Sequence, residues 1–164
     1  MNTRFKIARV LVLFGSALAL CATSWCATSA ATLWSPHSQA DLLTQSVYAY
    51  RQWQSMGIYL QAGDRVTLTA TGQWTYSPAE VGLHGPEGGR WAPAYYPLPT
   101  APGGALLGRV GETGQAFYVG HRLTFTAPAP GLLYLGINDD LLGDNEGALT
   151  VQIEVTAATP TPTK

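Results

Sequence analysis

The chain has 164 residues, of which 46% are hydrophobic and 12% charged, and its formal net charge is −1. This length corresponds to one domain, which can bury roughly two-thirds of its unfolded surface and needs no disulfide or metal to fold. The charge excludes the basic surface that nucleic-acid binding requires.

The first 30 residues have the layout of a secretory signal. Three basic residues (Arg4, Lys6 and Arg9) precede an apolar run over residues 10–20, and Thr28-Ser29-Ala30 offers a peptidase site. The run is too short to span a bilayer. Removal of residues 1–30 leaves six basic and ten acidic residues, a net charge of −4, and no cysteine. The sequence therefore predicts export to the periplasm or the medium, without disulfides or thiolate metal sites.

A lipid anchor and a membrane span are both disfavoured. A lipoprotein signal needs a small residue before the modified cysteine, whereas Leu20 precedes Cys21 and Trp25 precedes Cys26. No second apolar segment is long enough to cross a bilayer.

Beyond a leader at 31–44, residues 45–155 are predicted to form an all-β sandwich. Short alternating segments are separated by turn residues, and Val66, Leu68 and Ala70 share one face of a period-2 strand. About nine strands are enough for two packed sheets. They are expected at residues 47–53, 57–60, 65–71, 73–76, 105–110, 115–119, 122–126, 132–137 and 148–155.

Two segments lack the alternating pattern of the predicted strands. Residues 77–104, here called the long loop, contain six prolines and six glycines, and such loops are usually functional or mobile. The Thr/Pro-rich tail at 156–164 cannot pair in a sheet and is expected to be disordered.

The densest acidic cluster, residues 138–147, is here called the acidic loop. Six of its ten residues carry carboxylate or amide side chains. Crowded carboxylates repel one another unless a cation neutralises them, and Ca²⁺ takes about six to eight oxygen ligands. The alternative is a solvated hairpin loop with Asp-Asn-x-Gly turn chemistry.

An aromatic group in the long loop suggests ligand binding, whereas catalysis has little support. Trp91, Tyr95 and Tyr96 could stack on the apolar faces of sugars, or could equally pin the loop to the sandwich. No serine lies in a nucleophile elbow, and no histidine pair has metal spacing. We therefore expect no enzyme activity.

Four segments together resemble the PA-IL-like galactophilic bacterial lectins. They are residues 57–78, 85–88, 104–111, and Asn138-Asp139 followed by residues 143–147, in the family's order. The resemblance covers roughly residues 45–155. It implies a jelly-roll β-sandwich of about eight or nine antiparallel strands, one Ca²⁺ that coordinates sugar hydroxyls, and a homo-oligomer.

The resemblance also implies a set of metal ligands. The family's calcium-binding backbone carbonyl falls on Tyr76, and its aspartate that touches both metal and sugar falls on Asp139. Two consecutive asparagines fall on Asp144 and Asn145, so a carboxylate replaces one of them. Because the acidic loop is two residues shorter than in galactose-binding members, the remaining carbonyl falls on Leu141 or Leu142, and we assign Leu142.

The sequence thus predicts a non-catalytic carbohydrate-binding protein assisted by Ca²⁺. Sugar contacts are assigned to Asp139, Asp144, Trp91, Tyr95 and Tyr96. Galactose specificity is not implied, because residues 89–104 of the long loop lack the histidine and glutamine that read galactose in the family. The alternative is a metal-free envelope or periplasmic protein-interaction domain on the same sandwich.

Overall fold

The structure, a computed structural model, describes residues 41–76, 82–89 and 94–159. The predicted signal segment, the leader up to residue 40, Trp91 and the end of the tail lie outside these ranges. No helix in the described ranges is long and apolar enough to cross a membrane.

Eight strands form two antiparallel four-stranded sheets. Sheet A has the order β1-β8-β3-β6, and sheet B has the order β2-β7-β4-β5. The prediction of an all-β jelly-roll sandwich with eight or nine antiparallel strands is confirmed. The strands are β1 (Asp41–Tyr48), β2 (Gln54–Leu60), β3 (Arg65–Thr75), β4 (Leu106–Val110), β5 (Phe117–Tyr118), β6 (Arg122–Thr126), β7 (Gly131–Ile137) and β8 (Glu146–Thr156).

The core lies between the inner faces of the sheets. In β3, Val66, Leu68 and Ala70 are at most 1% exposed, as the period-2 pattern predicts. Inward residues of β8 and β7, such as Ile153 and Leu135, are also fully buried. Burying a large aliphatic side chain contributes about 1.5–3 kcal/mol, so this alternation is the main determinant of the fold.

The largest differences from the predicted strands concern β3 and β1. The segments 65–71 and 73–76 form one strand, because β8 pairs with β3 continuously from Arg65 to Thr75. The expected strand 47–53 ends at Tyr48. There the side-chain amide of Gln54 pairs with the backbone of Tyr48, accepting from its N–H (3.1 Å) and donating to its carbonyl (3.0 Å), which closes the turn between β1 and β2.

β1 begins at Asp41, inside the stretch predicted as a leader. It lies at the edge of sheet A, where its residues pair with β8. Leu42 and Leu43 are 66% and 37% exposed, so this part of the strand shows no clear alternation in sequence.

Candidate functional site

The acidic loop and the end of β3 lie at the same end of sheet A. Asp139 follows β7 closely, a 3-10 turn spans Leu142–Asp144, and Asn145 directly precedes β8. Thr75 pairs with Glu146, so Tyr76 leaves β3 where Asn145 enters β8. The fold therefore brings together the sequence-distant residues that we predicted to bind a metal.

Three oxygen atoms of the predicted metal ligands are buried without a hydrogen-bond partner. They are Oδ2 of Asp139, Oδ1 of Asp144 and Oδ1 of Asn145. Asp139 is 2% exposed and Asn145 is 4% exposed. Because buried acceptors are nearly always paired in native proteins, three in one loop require an explanation such as a bound cation.

Contacts with neighbouring backbone hold two of these side chains. The amide nitrogen of Asn145 donates to the carbonyl of Ala49 at 3.3 Å, which leaves its Oδ1 for another partner. The backbone N–H of Asp140 donates to Oδ1 of Asp139 at 2.9 Å, which leaves Oδ2.

The described ranges contain no group of three or more His, Cys, Asp and Glu side chains that could hold a metal. The predicted set contains only two carboxylates, Asp139 and Asp144. Its other ligands are the amide of Asn145 and backbone carbonyls, which are not His, Cys, Asp or Glu side chains. Hard cations take amide and carbonyl oxygens as ligands beside carboxylates, so the residues present fit Ca²⁺.

The two residues predicted to offer backbone carbonyls occupy different environments. Tyr76 is fully buried, and its ring packs edge-on against His84 with the centroids 5.0 Å apart. Gly104 lies against this ring so closely that a β-carbon there would collide with it. Leu142 starts the 3-10 turn, and its carbonyl accepts a long 3.4 Å hydrogen bond from the N–H of Asn145.

The long loop is anchored by Asn138, which the sequence grouped with the acidic oxygens. Asn138 is fully buried, and its Oδ1 accepts from the N–H of Leu98 at 2.9 Å. Its Nδ2 lies within 3.0–3.1 Å of the carbonyls of Leu98, Ala101 and Pro102. The side chain thus clasps the loop and takes no part in the candidate metal site. No local sequence pattern distinguishes it from its acidic neighbours.

The aromatic residues of the long loop have different exposures. Tyr95 is 65% exposed, whereas Tyr96 is 5% exposed, and their rings meet edge-to-face with centroids 5.6 Å apart. Trp91 lies outside the described residues. Of these two tyrosines, Tyr95 is therefore the one whose ring is accessible to a ligand.

Tyr96 connects the long loop to the acidic loop. Burial, followed by the hydrogen bond to the Asp139 carboxylate, raises the pKa of its phenol well above the usual range. The hydroxyl consequently stays protonated across the physiological pH range and remains a donor to Asp139. The sequence predicts Tyr96 as a sugar-stacking residue and contains no local signal for its contact with Asp139.

Comparison with known proteins identifies a class of fold. No protein-family model and no curated protein matches the chain. Among solved structures, it is similar to the EclA N-terminal domain, described as a PllA-like lectin, with 26% sequence identity and a TM-score of 0.56. The match covers 70% of this chain and 97% of that domain. The sandwich therefore has the PA-IL-like lectin fold, although its sequence identity to the similar domain is low.

Proposed function

We propose that this domain binds carbohydrate without catalysis and that Ca²⁺ assists the binding. A similar solved domain is described as a lectin, and the match covers 97% of that domain and 70% of this chain. The observation that carries the calcium proposal is the set of three buried, unpartnered oxygens on Asp139, Asp144 and Asn145. A divalent cation would satisfy all three at once.

In this proposal, the chain's own residues hold the metal and the sugar. Asp139, Asp144 and Asn145, with the carbonyls of Tyr76 and Leu142, would bind Ca²⁺. The bound ion supplies a positive charge that attracts sugar hydroxyls. Of the stacking residues predicted in the long loop, Tyr95 has the exposed ring, and Tyr96 is buried against Asp139.

Export and assembly complete the proposal. We place the protein in the periplasm or the medium, directed there by residues 1–30. Shallow monosaccharide sites bind weakly, so useful affinity would come from several copies of the site on a homo-oligomer.

The calcium proposal predicts a metal-dependent thermal shift. At about 100 times its Kd, Ca²⁺ should stabilise the purified protein by about 2.7 kcal/mol over the protein in EDTA. For a domain of this size, the midpoint of unfolding should rise by roughly 8–12 °C. The double variant Asp139→Asn/Asp144→Asn should lose the shift, because both substituted side chains lose their negative charge.

The matched control is Asp140→Asn/Glu146→Gln. It removes the same amount of charge from two exposed residues of the same loop. It should keep most of the shift. An unchanged midpoint of the wild-type protein in millimolar Ca²⁺ would refute the calcium proposal and favour the metal-free interaction domain.

The carbohydrate proposal predicts calcium-dependent glycan binding. On a glycan array, wild-type protein should bind in Ca²⁺ and lose binding in EDTA. Replacing Tyr95 by alanine should weaken binding about fivefold, because the stacked ring contributes on the order of 1 kcal/mol. Tyr59→Ala is the control, since Tyr59 is similarly exposed (59%) but lies on β2. If every bound glycan stayed bound in EDTA, sugar binding would not depend on the metal, and the prediction would be wrong.

A further inference from the structure

The outer face of sheet B carries a cation and two aromatic rings that the calcium proposal does not use. Arg109 alternates with the core residue Val110 on β4, and Tyr134 alternates with the core residue Leu135 on β7, so both side chains point away from the core. The strand register places Arg109 opposite Tyr134. Trp53, which directly precedes β2, completes a group of three residues that we call the arginine platform.

A glycine in β7 gives Trp53 room to reach Arg109. β7 lies between β2 and β4 in sheet B. A β-carbon added at Gly136 would lie 3.3 Å from Cε3 of Trp53, so the ring packs directly on this glycine. The guanidinium carbon of Arg109 lies 4.5 Å from the centroid of the Trp53 ring and 5.2 Å from that of Tyr134. Both distances are within the range of cation–π contacts.

The Arg109 guanidinium has two rings as neighbours and no hydrogen-bond acceptor. Its Nε is buried without a hydrogen-bond partner. Within the described ranges, no carboxylate forms an ion pair with it. Glu112, just after β4, instead accepts a 3.4 Å hydrogen bond from the hydroxyl of Tyr134. An arginine carries five N–H donors, and a buried donor without a partner destabilises the fold. An apolar side chain would cover the rings without this cost, so the unused donors require an explanation such as a ligand.

We propose that the arginine platform is a second binding site, which takes a sugar that carries a carboxylate. The inference rests on the proposed carbohydrate function for the class of ligand, but it uses neither Ca²⁺ nor the acidic loop. The planar guanidinium matches a carboxylate through two parallel N–H···O hydrogen bonds. Because Nε is buried, the ligand is bound by the two terminal nitrogens of Arg109.

The two rings favour a sugar acid over a simple carboxylate. Trp53 and Tyr134 are half-buried, so part of each ring faces solvent beside the guanidinium. These ring surfaces would contact the apolar face of a uronic acid whose carboxylate is bound by Arg109. Acetate would retain the ionic contact alone, and a neutral sugar would retain the ring contacts alone.

NMR titration in EDTA tests this site without any contribution from bound calcium. In isotope-labelled full-length protein, sodium glucuronate should shift the indole N–H signal of Trp53 and the Nε–H signal of Arg109 in a saturable way. Sodium acetate and methyl glucoside should each bind at least about tenfold more weakly, because each lacks one half of the contacts.

Arg109→Lys tests whether the guanidinium itself is needed. Lysine keeps the positive charge but not the planar pair of donors, so glucuronate should bind about tenfold more weakly, measured at the Trp53 indole. Arg122→Lys is the matched control, because it makes the same change at an exposed residue of β6 in sheet A, and it should leave the Kd unchanged.

Trp53→Leu tests the contribution of the ring. It keeps an apolar side chain on Gly136, and it should weaken glucuronate binding about fivefold, measured at Arg109 Nε–H. Urea midpoints verify that every variant is folded before its affinity is compared with that of the wild-type protein.

The outcomes separate this site from the proposed function. The absence of a saturable shift with glucuronate, an equal affinity for acetate, or an equal affinity of Arg109→Lys would each overturn the arginine platform as a sugar-acid site. Loss of the calcium-dependent thermal shift would instead overturn the calcium site and leave this titration unaffected. On the glycan array, glycans with an exposed uronic acid should keep residual binding in EDTA that Arg109→Lys removes, whereas neutral glycans should lose theirs.

Discussion

Replacing Asn138 by aspartate is expected to destabilise the domain more than replacing it by alanine. The side chain is fully buried, and its Nδ2 faces three backbone carbonyls at 3.0–3.1 Å. Alanine leaves the carbonyl of Ala101 and the N–H of Leu98 without the Asn138 side chain as partner, while the carbonyls of Leu98 and Pro102 keep only the backbone N–H groups of Ala101 and Ala105. This loss should cost roughly 2–4 kcal/mol. Aspartate places an oxygen where the donor was, so acceptors face acceptors, and at least about 1 kcal/mol more should be lost.

Urea denaturation in EDTA measures both variants without any contribution from a metal. Gln152→Glu is the control, because it makes the same change from amide to carboxylate on an exposed residue of β8. It should change the free energy of unfolding by no more than about 0.5 kcal/mol. If Asn138→Asp were as stable as the wild-type protein, Asn138 would not act as a clasp.

Replacing Gly104 by alanine should cost about 2–5 kcal/mol, by two separable effects. Gly104 has a φ of +70°, in the left-handed region that costs other residues about 1–2 kcal/mol. In addition, its new β-carbon would collide with the buried ring of Tyr76. Overpacking of this kind costs about 1–3 kcal/mol. The backbone cannot easily yield, because the Gly104 carbonyl accepts from Trp74 Nε1 at 2.7 Å.

Gly57 provides a control matched in backbone conformation. Its φ is also +70°, but nothing lies within 4 Å of an added β-carbon. Gly57→Ala should therefore show the conformational cost alone, about 1–2 kcal/mol. Equal losses of unfolding free energy in the two variants would show that Tyr76 moves aside and that the ring is not tightly held.

The sequence predicted the fold well where burial imposes a strict period. Val66, Leu68 and Ala70 in β3 alternate with exposed or half-exposed residues, and the sheets confirm their common face. Edge positions carry no such pattern, since an edge strand packs on fewer neighbours. The predictions for the start of β1 at Asp41 and for the short β5 are therefore less accurate.

The acidic residues of the candidate site could be predicted from the sequence, whereas the tertiary contacts of Asn138 and Tyr96 could not. The acidic loop is visible because carboxylates and amides cluster within ten residues. The role of Asn138 depends on carbonyls about 40 residues away, and the contact of Tyr96 with Asp139 depends on how the long loop folds back. Neither contact has a local signature, because each arises from tertiary packing.

The position of β8 in sheet A has a consequence for folding. This final strand lies between β1 and β3 and pairs with both over 8 and 11 residues, respectively. Until residues 146–156 have been synthesised, β1 has no neighbour in sheet A and β3 can pair only with β6. The pairing of β1 with β8 thus joins the two ends of the domain. It closes a loop of many residues, which has a large entropic cost. Refolding from denaturant should accordingly take milliseconds to seconds.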